Sequence, residues 1–588
     1  MARSRSWSVA IALLTTSAAV FCLWSGVTAQ TADLPFHAKG AWRSNAAGDG
    51  SWQAQLALNG NTLTGILSDP SRAEIDGGLI NGSVAENSLT VTVSKLGTQV
   101  ASFSGSLSGT SLVGSYSTPS GDTGMWAGGW RSNPPVIART WPAGTVVLPY
   151  VPVPDAPAQL SGVLLAPPPA LGGQSRLDGS AAAPTISTNV RVSVAGQSYQ
   201  NEPEVAIHRH NSQYVAAGAN DQTGHADYQA GFYASTNGGT TWPYKDVIPG
   251  LTAYNAGGDP VLDFGPDGFL YYAGVAFDRP RCPSGTGKNA VFVSTSYDAG
   301  RTYQNAVLVA SSTNAQNLTN DKPWLAAAPG VAGRVYLTWT KVTSNCTNSR
   351  VWEAVSTNWG ANFDAGRVVS DDSDSTASSV AVGTDGVVNI VWLKNGNKIM
   401  LDRCTAGGTT CGADRLVANI TPLPSTIAGF KVNSFPTLAI DNASGGSGYM
   451  AIVWADKRSG NADIYFTLSS DNGNTWLTPK AIASTPTDEF FPTITIDDSH
   501  LQRVSYYRRV DSSTTSFNLF FITSGNGQGN FTAPVMVNDG GNIGPGPGSP
   551  ANFIGDYIGI DASTVSQPVW MDSRDANQDT YAATASGC

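Results

Sequence analysis

A short glycine-containing motif recurs along the C-terminal two-thirds of the sequence. Each copy has a serine, an Asp or Asn, a glycine and a closing aromatic residue, and the second copy is read as longer than the rest. An Asp or Asn side chain followed by glycine favours a tight turn, and the aromatic residue packs back onto a sheet. Regular repetition of this unit predicts a repeat architecture. The copies are Ser235–Trp242, Ser294–Tyr303, Ser356–Phe363, Ser469–Trp476 and, more weakly, Ser524–Phe531.

A second element, usually containing proline, opens each repeat. It precedes an apolar strand, a third strand that leads into the turn motif, and a fourth strand after it. The aligned positions are 203, 260, 323, 380, 436, 492 and 557, which predicts seven four-stranded units. The last unit ends after its third strand, while Thr188–Val194 forms a spare strand before the first unit. We expect this spare strand to complete the last unit, because ring closure removes exposed sheet edges.

The turn motif resembles the Asp box, or bacterial neuraminidase repeat, of sialidase-like β-propellers. The resemblance covers about residues 188–588. It implies an all-β, secreted bacterial protein with a β-propeller, and the repeats predict seven blades, with six, the number in classical sialidases, as the alternative. Asp boxes are structural turns in that superfamily, so the resemblance predicts a fold rather than an activity.

The N-terminal region predicts three further segments. Residues 1–29 combine two arginines, an apolar run and a small-residue cleavage site, which indicates a secretory signal peptide and an extracellular or cell-surface location. Residues 36–131 alternate short apolar runs with turn residues, which predicts a small antiparallel β-barrel or sandwich. Residues 132–187 are rich in proline and predict a linker. No later apolar stretch is long enough to predict a membrane span.

Composition limits the partners and cofactors. A net charge of −10 with only 13% charged residues disfavours nucleic acid. Cys404 and Cys411 flank a short Gly/Thr-rich segment and predict a disulfide-closed hairpin, while Cys282 and Cys346 are a second candidate pair and Cys588 is left over. The cysteine spacing is not that of a zinc site. We therefore expect no cofactor, and although Asp-rich loops leave room for a structural calcium ion, no spacing specifies one.

Charged and aromatic polar residues concentrate at first-strand starts and second-strand ends. In a sialidase-like propeller these positions meet on one face, around the mouth of the channel, where the active site lies. The candidates at these positions are Glu202, Asp221, His225, Asp259, Arg279, Asp321, Arg458, Tyr507, Arg508, Tyr557 and Arg574.

The resemblance also implies a set of roles. A sialidase uses three arginines to hold the sugar carboxylate, an Asp acid/base, and a Tyr nucleophile paired with Glu. The arginines would be Arg458, Arg574 and either Arg508 or Arg279. The acid would be Asp221 or Asp259, the nucleophile Tyr507 or Tyr557, and its partner Glu202 or Glu489, with Asp259, Asp321 and His225 contacting substrate. No Arg-Ile-Pro motif precedes the first Asp box, so the family site does not map in full.

Two loops share the pattern W-x-D-x-R…N-x-D-x-Y, over Trp454–Tyr465 and Trp570–Tyr581. Because the pattern recurs in different repeats, the alternative interpretation is structural: Asp456/Arg458 and Asp572/Arg574 form ion pairs that brace their loops.

The sequence thus favours a secreted, monomeric glycoside hydrolase resembling exo-sialidases, acting on acidic or complex carbohydrate. One alternative is a uronic-acid polysaccharide lyase, in which arginine neutralises the carboxylate and His225 or a tyrosine abstracts a proton. Another is a non-catalytic cell-surface propeller that binds glycan or protein. The fold alone does not separate these functions.

Overall fold

The structure, a computed structural model, describes residues 36–586 except 45–48, 60–61, 69–74, 76–77, 86–87, 96–97, 109–110, 131–183, 195–198, 210, 280–286, 314–317, 344–347, 406, 444–448, 525–528 and 547–552. The predicted signal peptide, most of the linker, and Cys282, Cys346 and Cys588 lie outside the described residues. The described residues form strands, turns and loops without an α-helix, which confirms the all-β class. Within them, no helix has the length and apolar character needed to cross a membrane. Contacts divide the chain into two units, Met1–Leu171 and Gly172–Cys588.

The first unit contains a closed antiparallel barrel of eight strands. Strand β1 pairs with both β2 and β8, so the barrel has no free edge. Buried apolar side chains fill its interior, including Trp52 and Trp126, whose rings meet edge to face at 5.8 Å. The strands are β1 (Phe36–Ser44), β2 (Asp49–Asn59), β3 (Thr62–Ser68), β4 (Gly78–Ala85), β5 (Ser88–Lys95), β6 (Thr98–Ser108), β7 (Ser111–Ser117) and β8 (Thr123–Trp130).

The second unit begins with two short strands, β9 (Thr185–Ile186) and β10 (Val190–Arg191). Antiparallel sheets follow in chain order. Sheet 1 contains β11 (Gln200–Ile207), β12 (Val215–Asp221), β13 (Gln229–Ser235) and β14 (Tyr244–Val247). Sheet 2 contains β15 (Ala256–Phe264), β16 (Leu270–Phe277), β17 (Asn289–Ser296) and β18 (Val307–Ser312). Sheet 3 contains β19 (Thr319–Ala327), β20 (Val335–Thr343), β21 (Asn348–Ser356) and β22 (Arg367–Val368).

Sheet 4 contains β23 (Ser375–Val382), β24 (Val388–Lys394), β25 (Lys398–Thr405), β26 (Thr410–Cys411) and β27 (Arg415–Asn419). A two-stranded hairpin follows, β28 (Thr426–Ile427) and β29 (Phe430–Lys431). Sheet 5 contains β30 (Thr437–Ile440), β31 (Met450–Asp456), β32 (Asp463–Ser469) and β33 (Lys480–Ala483). Sheet 6 contains β34 (Glu489–Ile496), β35 (Gln502–Arg509), β36 (Phe517–Thr523) and β37 (Val535–Met536). Sheet 7 contains β38 (Gly559–Ala562), β39 (Ser566–Asp572), β40 (Asp579–Ala582) and β41 (Ala585–Ser586).

The sheets contact one another through their first strands. In the described part of the second unit, each first strand contacts the first strand of the next sheet, in the order β11, β15, β19, β23, β30, β34 and β38. Strand β38 in turn contacts β11, so the succession returns to its start. The middle strands are apolar and buried on both faces because each sheet lies between two others.

The N-terminal spare strand completes sheet 7, as predicted. Val190 pairs with Ala582 and Arg191 with Tyr581. Arg191 also forms an ion pair with Asp575. Residues far apart in sequence therefore close the ring by backbone hydrogen bonds.

Four copies of the turn motif share one hydrogen-bond pattern. The serine hydroxyl oxygen accepts the N–H of the glycine, at 2.8 Å in the pair Ser469–Gly473. The Asp or Asn side chain accepts a second N–H, as Asp471 does from Thr475 at 2.8 Å. In the second copy these roles fall to Ser296, Asp298 and Gly300, so that copy starts at Ser296 and has the ordinary length. The prediction that the second copy begins at Ser294 and is longer than the others was wrong, because the sequence Ser-Thr-Ser offers two possible starting serines.

Ser469→Ala should reduce the free energy of unfolding by about 1–2 kcal/mol, because the buried Gly473 N–H loses its acceptor. Urea unfolding measures this change. Ser470→Ala is the matched control, since Ser470 is exposed and its replacement should change stability by less than about 0.5 kcal/mol. Equal effects of the two substitutions would contradict a stabilising role for the turn.

Candidate functional site

Five first strands carry the same backbone irregularity. The pairing of first and second strands shifts register at one point in sheets 1, 2, 3, 4 and 6. At each shift a residue other than glycine has a φ near +50°, which costs on the order of 1 kcal/mol and persists only where the surrounding structure imposes it. Such repeated strain is expected where a backbone directs side chains to a functional centre. The residues are Glu202 (φ 53°), Asp259 (φ 52°), Lys322 (φ 50°), Ala377 (φ 54°) and Phe491 (φ 50°).

This pattern corrects the sequence alignment of the fourth repeat. Ala377 occupies the place of Glu202, so Ser378 corresponds to Pro203. The predicted alignment at position 380 was two residues too far along the chain. The error arose because this repeat lacks the proline that marks the others.

Charged side chains from sheets 1 and 2 and from the segment before β38 meet around the ammonium group of Lys322, on sheet 3. Its Nζ lies 3.6 Å from Glu202 Oε1 and 3.5 Å from Asp259 Oδ2, and it forms a shorter ion pair with Asp556. Lys431, at the end of the hairpin β28–β29, lies 2.9 Å from Asp556 Oδ1. We call Glu202, Asp259, Lys322, Lys431 and Asp556 the charged cluster.

The carboxyl groups of the charged cluster differ in protonation. Burial raises the pKa of Glu202 to about 8; Lys322 opposes this rise, while Asp259 and Asp556 add to it. Burial also acts on Asp556, but Lys322 and Lys431 hold its pKa below the ordinary value. Near neutral pH Glu202 is therefore protonated and Asp556 ionised. Neighbouring carboxyls whose pKa values are driven apart are suited to separate acid and base roles.

Each of the three carboxyls has an oxygen that accepts no hydrogen bond from the described residues. These atoms are Glu202 Oε1, Asp259 Oδ2 and Asp556 Oδ1. Lys322 Nζ lies 3.6 Å and 3.5 Å from the first two, and Lys431 Nζ lies 2.9 Å from the third. The lysines meet these oxygens as ion pairs rather than as directed hydrogen bonds, which leaves the oxygens able to bind a proton or a hydroxyl group.

A pocket of about 550 Å³, including its open mouth, adjoins the charged cluster. Its lining combines apolar walls with a few polar groups, which is the composition of small-molecule sites. Glu202 is not part of the lining, but it contacts Lys322, which is. The lining residues are Asp259, Lys322, Pro323, Trp324, Ala377, Ser378, Asn433, Phe435, Pro436, Thr437, Phe491, Pro492, Asp556, Tyr557 and Ile558.

Two asparagines hold the cluster in place. Asn220 Nδ2 donates to Glu202 Oε2 at 2.8 Å, and Asn220 Oδ1 accepts the Asp259 backbone N–H at 2.8 Å. Asn433 Nδ2 donates to the Asp556 backbone oxygen at 2.8 Å. These bonds fix side chains from different sheets relative to one another.

Of the predicted candidates, Glu202, Asp259 and Tyr557 come together here. The Tyr557 hydroxyl donates to the Pro260 carbonyl oxygen at 2.9 Å. Burial, with the carboxylates of Glu202 and Asp259, raises the pKa of Tyr557 well above its ordinary value. Tyr557 is therefore protonated near neutral pH and poorly suited to act as a nucleophile.

Three other candidates have local roles. Asp221 follows Asn220 in the strand, so its side chain lies on the opposite face, where it accepts the Tyr233 hydroxyl at 2.6 Å. Asp321 accepts the Lys322 backbone N–H at 3.1 Å. Tyr507 is fully buried, and its hydroxyl donates to the Met571 carbonyl oxygen at 2.9 Å. None of the three lines the pocket.

The predicted arginines are held by four different carboxylates, and none of them lines the pocket. Each pairs with a carboxylate close to it, and His225 is exposed on the loop between β12 and β13. The ion pairs are Arg279–Asp227, Arg458–Asp456, Arg508–Glu489 and Arg574–Asp572.

The contacts support the structural interpretation of the repeated W-x-D-x-R…Y motif. Trp454 Nε1 and Arg458 Nε both donate to Asp456 Oδ2 at 3.0 Å. The Arg458 guanidinium lies 4.6 Å from the centre of the Tyr465 ring. The second copy repeats this arrangement, with Arg574 over Tyr581 at 4.3 Å. The motif therefore encodes a loop brace.

Arg574→Gln should reduce the free energy of unfolding by about 1–2 kcal/mol, because it leaves the buried Asp572 carboxylate without its cation. Any kcat/KM of the protein should remain within about twofold, since Arg574 does not line the pocket. Urea unfolding and steady-state kinetics test the two parts. A large rise in KM with unchanged stability would return Arg574 to a substrate-binding role.

Sequence reasoning assigned no role to Lys322 or Asp556, and it missed Lys431 and Asn433. Lys431 and Asn433 lie on or just after the hairpin β28–β29, outside the repeated units. The available signal was the long segment between sheets 4 and 5, which the repeat pattern leaves unexplained.

No protein-family model matches the chain, and no curated protein sequence matches it. Several solved structures are similar to the chain. One is a Hadza microbial sialidase, which is 15% identical; the match covers 52% of this chain and 63% of the sialidase, with a TM-score of 0.38. An α-L-arabinanase from Penicillium chrysogenum, complexed with arabinobiose, has 14% identity, coverage of 69% and 99%, and a TM-score of 0.37. An ulvan polysaccharide lyase has 11% identity, coverage of 67% and 95%, and a TM-score of 0.40. Similarities of this size do not assign an activity.

Proposed function

We propose that the chain is a secreted glycoside hydrolase, in which residues 188–588 form a seven-bladed β-propeller and the charged cluster is the active centre. A signal peptide over residues 1–29, a barrel module over 36–131 and a linker over 132–187 would precede it. The succession of sheets that returns from β38 to β11 supports the propeller. The observation that carries the function is the set of three carboxyls around Lys322, in which the pKa of Glu202 is raised and that of Asp556 is lowered.

The chemistry divides between the two sides of Lys322. Glu202 and Asp259 both lie beside the Lys322 ammonium group, and Asp259 lines the pocket. In this mechanism the protonated Glu202 supplies the proton that Asp259 delivers to the glycosidic oxygen. Asp556, kept ionised by two lysines, either attacks the anomeric carbon or deprotonates the water that does so. Lys322 contacts both Asp259 and Asp556 and so fixes their positions relative to each other.

The same contacts disfavour the two more specific alternatives. A sialidase requires arginines gathered on one carboxylate, whereas those of this chain are paired with separate acids. A lyase requires a base near neutral pH, whereas Tyr557 has a raised pKa and His225 is exposed away from the pocket lining. Trp324, Phe435 and Tyr557 supply apolar walls suited to the faces of a sugar ring. We therefore favour a terminal sugar without a carboxylate as the group that enters the pocket.

Purified protein should release the aryl group from at least one member of a panel of neutral and acidic aryl glycosides. Asp259→Asn and Asp556→Asn should each lower kcat/KM by about 100-fold or more with the fold retained. Asp511→Asn, in an exposed loop of sheet 6, is the matched control and should retain activity. Unsaturated products from uronic-acid polysaccharides would establish a lyase instead. Glycan binding without turnover would establish a binding propeller.

A further inference from the structure

A second buried carboxyl lies against the disulfide of sheet 4. Glu353, on β21 of sheet 3, is 0% exposed. The predicted disulfide is present between Cys404 and Cys411, which are paired across β25 and β26. Glu353 Oε2 lies 3.8 Å from the Cys411 sulfur. The carboxyl and the disulfide thus meet at the contact between two neighbouring sheets.

The Glu353 carboxyl has an unused acceptor. Its Oε1 accepts no hydrogen bond from the described residues, while Oε2 is paired with Arg367 Nη1 at 3.3 Å. Burial raises the pKa of Glu353 to about 8, although Arg367 opposes the rise. A fully buried, unpartnered carboxylate oxygen is costly unless it binds something.

The donor atoms lie close enough together to hold one metal ion once the disulfide is opened. The two sulfurs and a Glu353 oxygen all lie within 4.8 Å of one another. Zinc takes thiolates at about 2.3 Å and carboxylate oxygens at about 2.0–2.2 Å in a tetrahedral set, so its ligands lie within this separation. Cys404 is fully buried and Cys411 is partly exposed, which gives the ion a route of entry and a position for water.

We propose that reduction of the Cys404–Cys411 disulfide creates a zinc site formed by the two thiolates and Glu353. A phosphine reductant attacks one sulfur and the S–S bond breaks. Water converts the phosphonium to phosphine oxide, so phosphorus is oxidised and the disulfide becomes two thiols. Zinc binding then releases both thiol protons and any proton on Glu353 to solvent. Two thiolates, one carboxylate and Zn²⁺ carry a net charge of −1, which Arg367 balances.

This site would connect elements that the disulfide does not. The disulfide joins two strands of sheet 4, whereas Glu353 belongs to sheet 3. Bound zinc would therefore bridge neighbouring sheets. The oxidised hairpin would have a disulfide within sheet 4, and the reduced, zinc-bound hairpin would be linked to sheet 3.

The test uses the full chain with Cys588→Ser to lower the background of free thiol. Protein reduced with a phosphine and freed of excess reductant should bind one Zn²⁺ per chain in competition with a chromogenic chelator, and oxidised protein should bind none at this site. Cadmium should give an ultraviolet thiolate-to-metal band in reduced protein only. X-ray absorption of the zinc-loaded protein should show two sulfur ligands with oxygen completing the shell.

Variants separate the proposal from adventitious binding. Cys404→Ser/Cys411→Ser should abolish the stoichiometric site, and Glu353→Gln should weaken affinity by at least about tenfold. Unchanged binding in the double variant, or unchanged affinity in Glu353→Gln, would overturn the proposal. If Glu353→Gln does not fold, a sulfur-only shell in the X-ray absorption of the parent protein would overturn it equally.

Discussion

Replacing Lys322 with methionine should reduce the free energy of unfolding by about 3–5 kcal/mol near neutral pH, because it leaves the buried Asp556 carboxylate and its neighbours Glu202 and Asp259 without their common cation. Methionine has a side chain of similar length, so the loss of stability measures the effect of removing the charge rather than of removing volume. In the variant the folded-state pKa values of the carboxyls should rise. Its stability should therefore be recovered as the pH falls and these groups become protonated.

Lys431→Met is the matched control for Lys322→Met. Lys431 also pairs with Asp556, but its side chain is 51% exposed, so the cost should stay below about 1 kcal/mol. Urea unfolding of both variants, near neutral pH and about two pH units lower, measures the difference and its pH dependence. Equal costs, or a Lys322→Met cost that is independent of pH, would show that Lys322 does not hold the carboxyls together.

The fold was more accessible from sequence than the site, because local patterns determine it. The Ser–Asx–Gly–aromatic turns and apolar second strands are written in contiguous residues. The completion of sheet 7 by Val190 and Arg191 followed from a missing fourth strand. The start of the second turn and the alignment at Ala377 were misplaced, because the sequence offered two serines at the first and lacked a proline at the second.

The candidate site depended on side-chain directions that a linear motif does not state. Asn220 and Asp221 are adjacent, yet strand alternation places only Asn220 against Glu202. Arg458 and Arg574 are of the residue type that binds a substrate carboxylate. In the structure each forms an ion pair with an aspartate two residues before it in the sequence. Lys431 reaches Asp556 over a long separation in sequence, from a hairpin that no repeat predicts.

Glu202→Gln should make the protein more stable at mildly alkaline pH. The pKa of Glu202 is raised from 4.5 to about 8 in the folded state, chiefly by burial. Its contribution to stability is therefore full below the unfolded-state value and is lost as the pH rises toward about 8. Glutamine mimics the protonated form and avoids this loss, which is on the order of 4 kcal/mol at the upper end. The unfolding free energy of both proteins as a function of pH measures the effect.

The activity of Glu202→Gln should change in the opposite direction. If Glu202 supplies the proton that Asp259 delivers, glutamine removes that proton, and kcat should fall by about 100-fold or more while the fold becomes more stable. If the Glu202 carboxyl had only a structural role, the more stable Glu202→Gln variant would keep its activity. Gain of stability with loss of turnover would thus identify Glu202 as a group kept at an energetic cost for its chemistry. Increased stability with unchanged turnover would remove Glu202 from the mechanism and leave Asp259 to act alone.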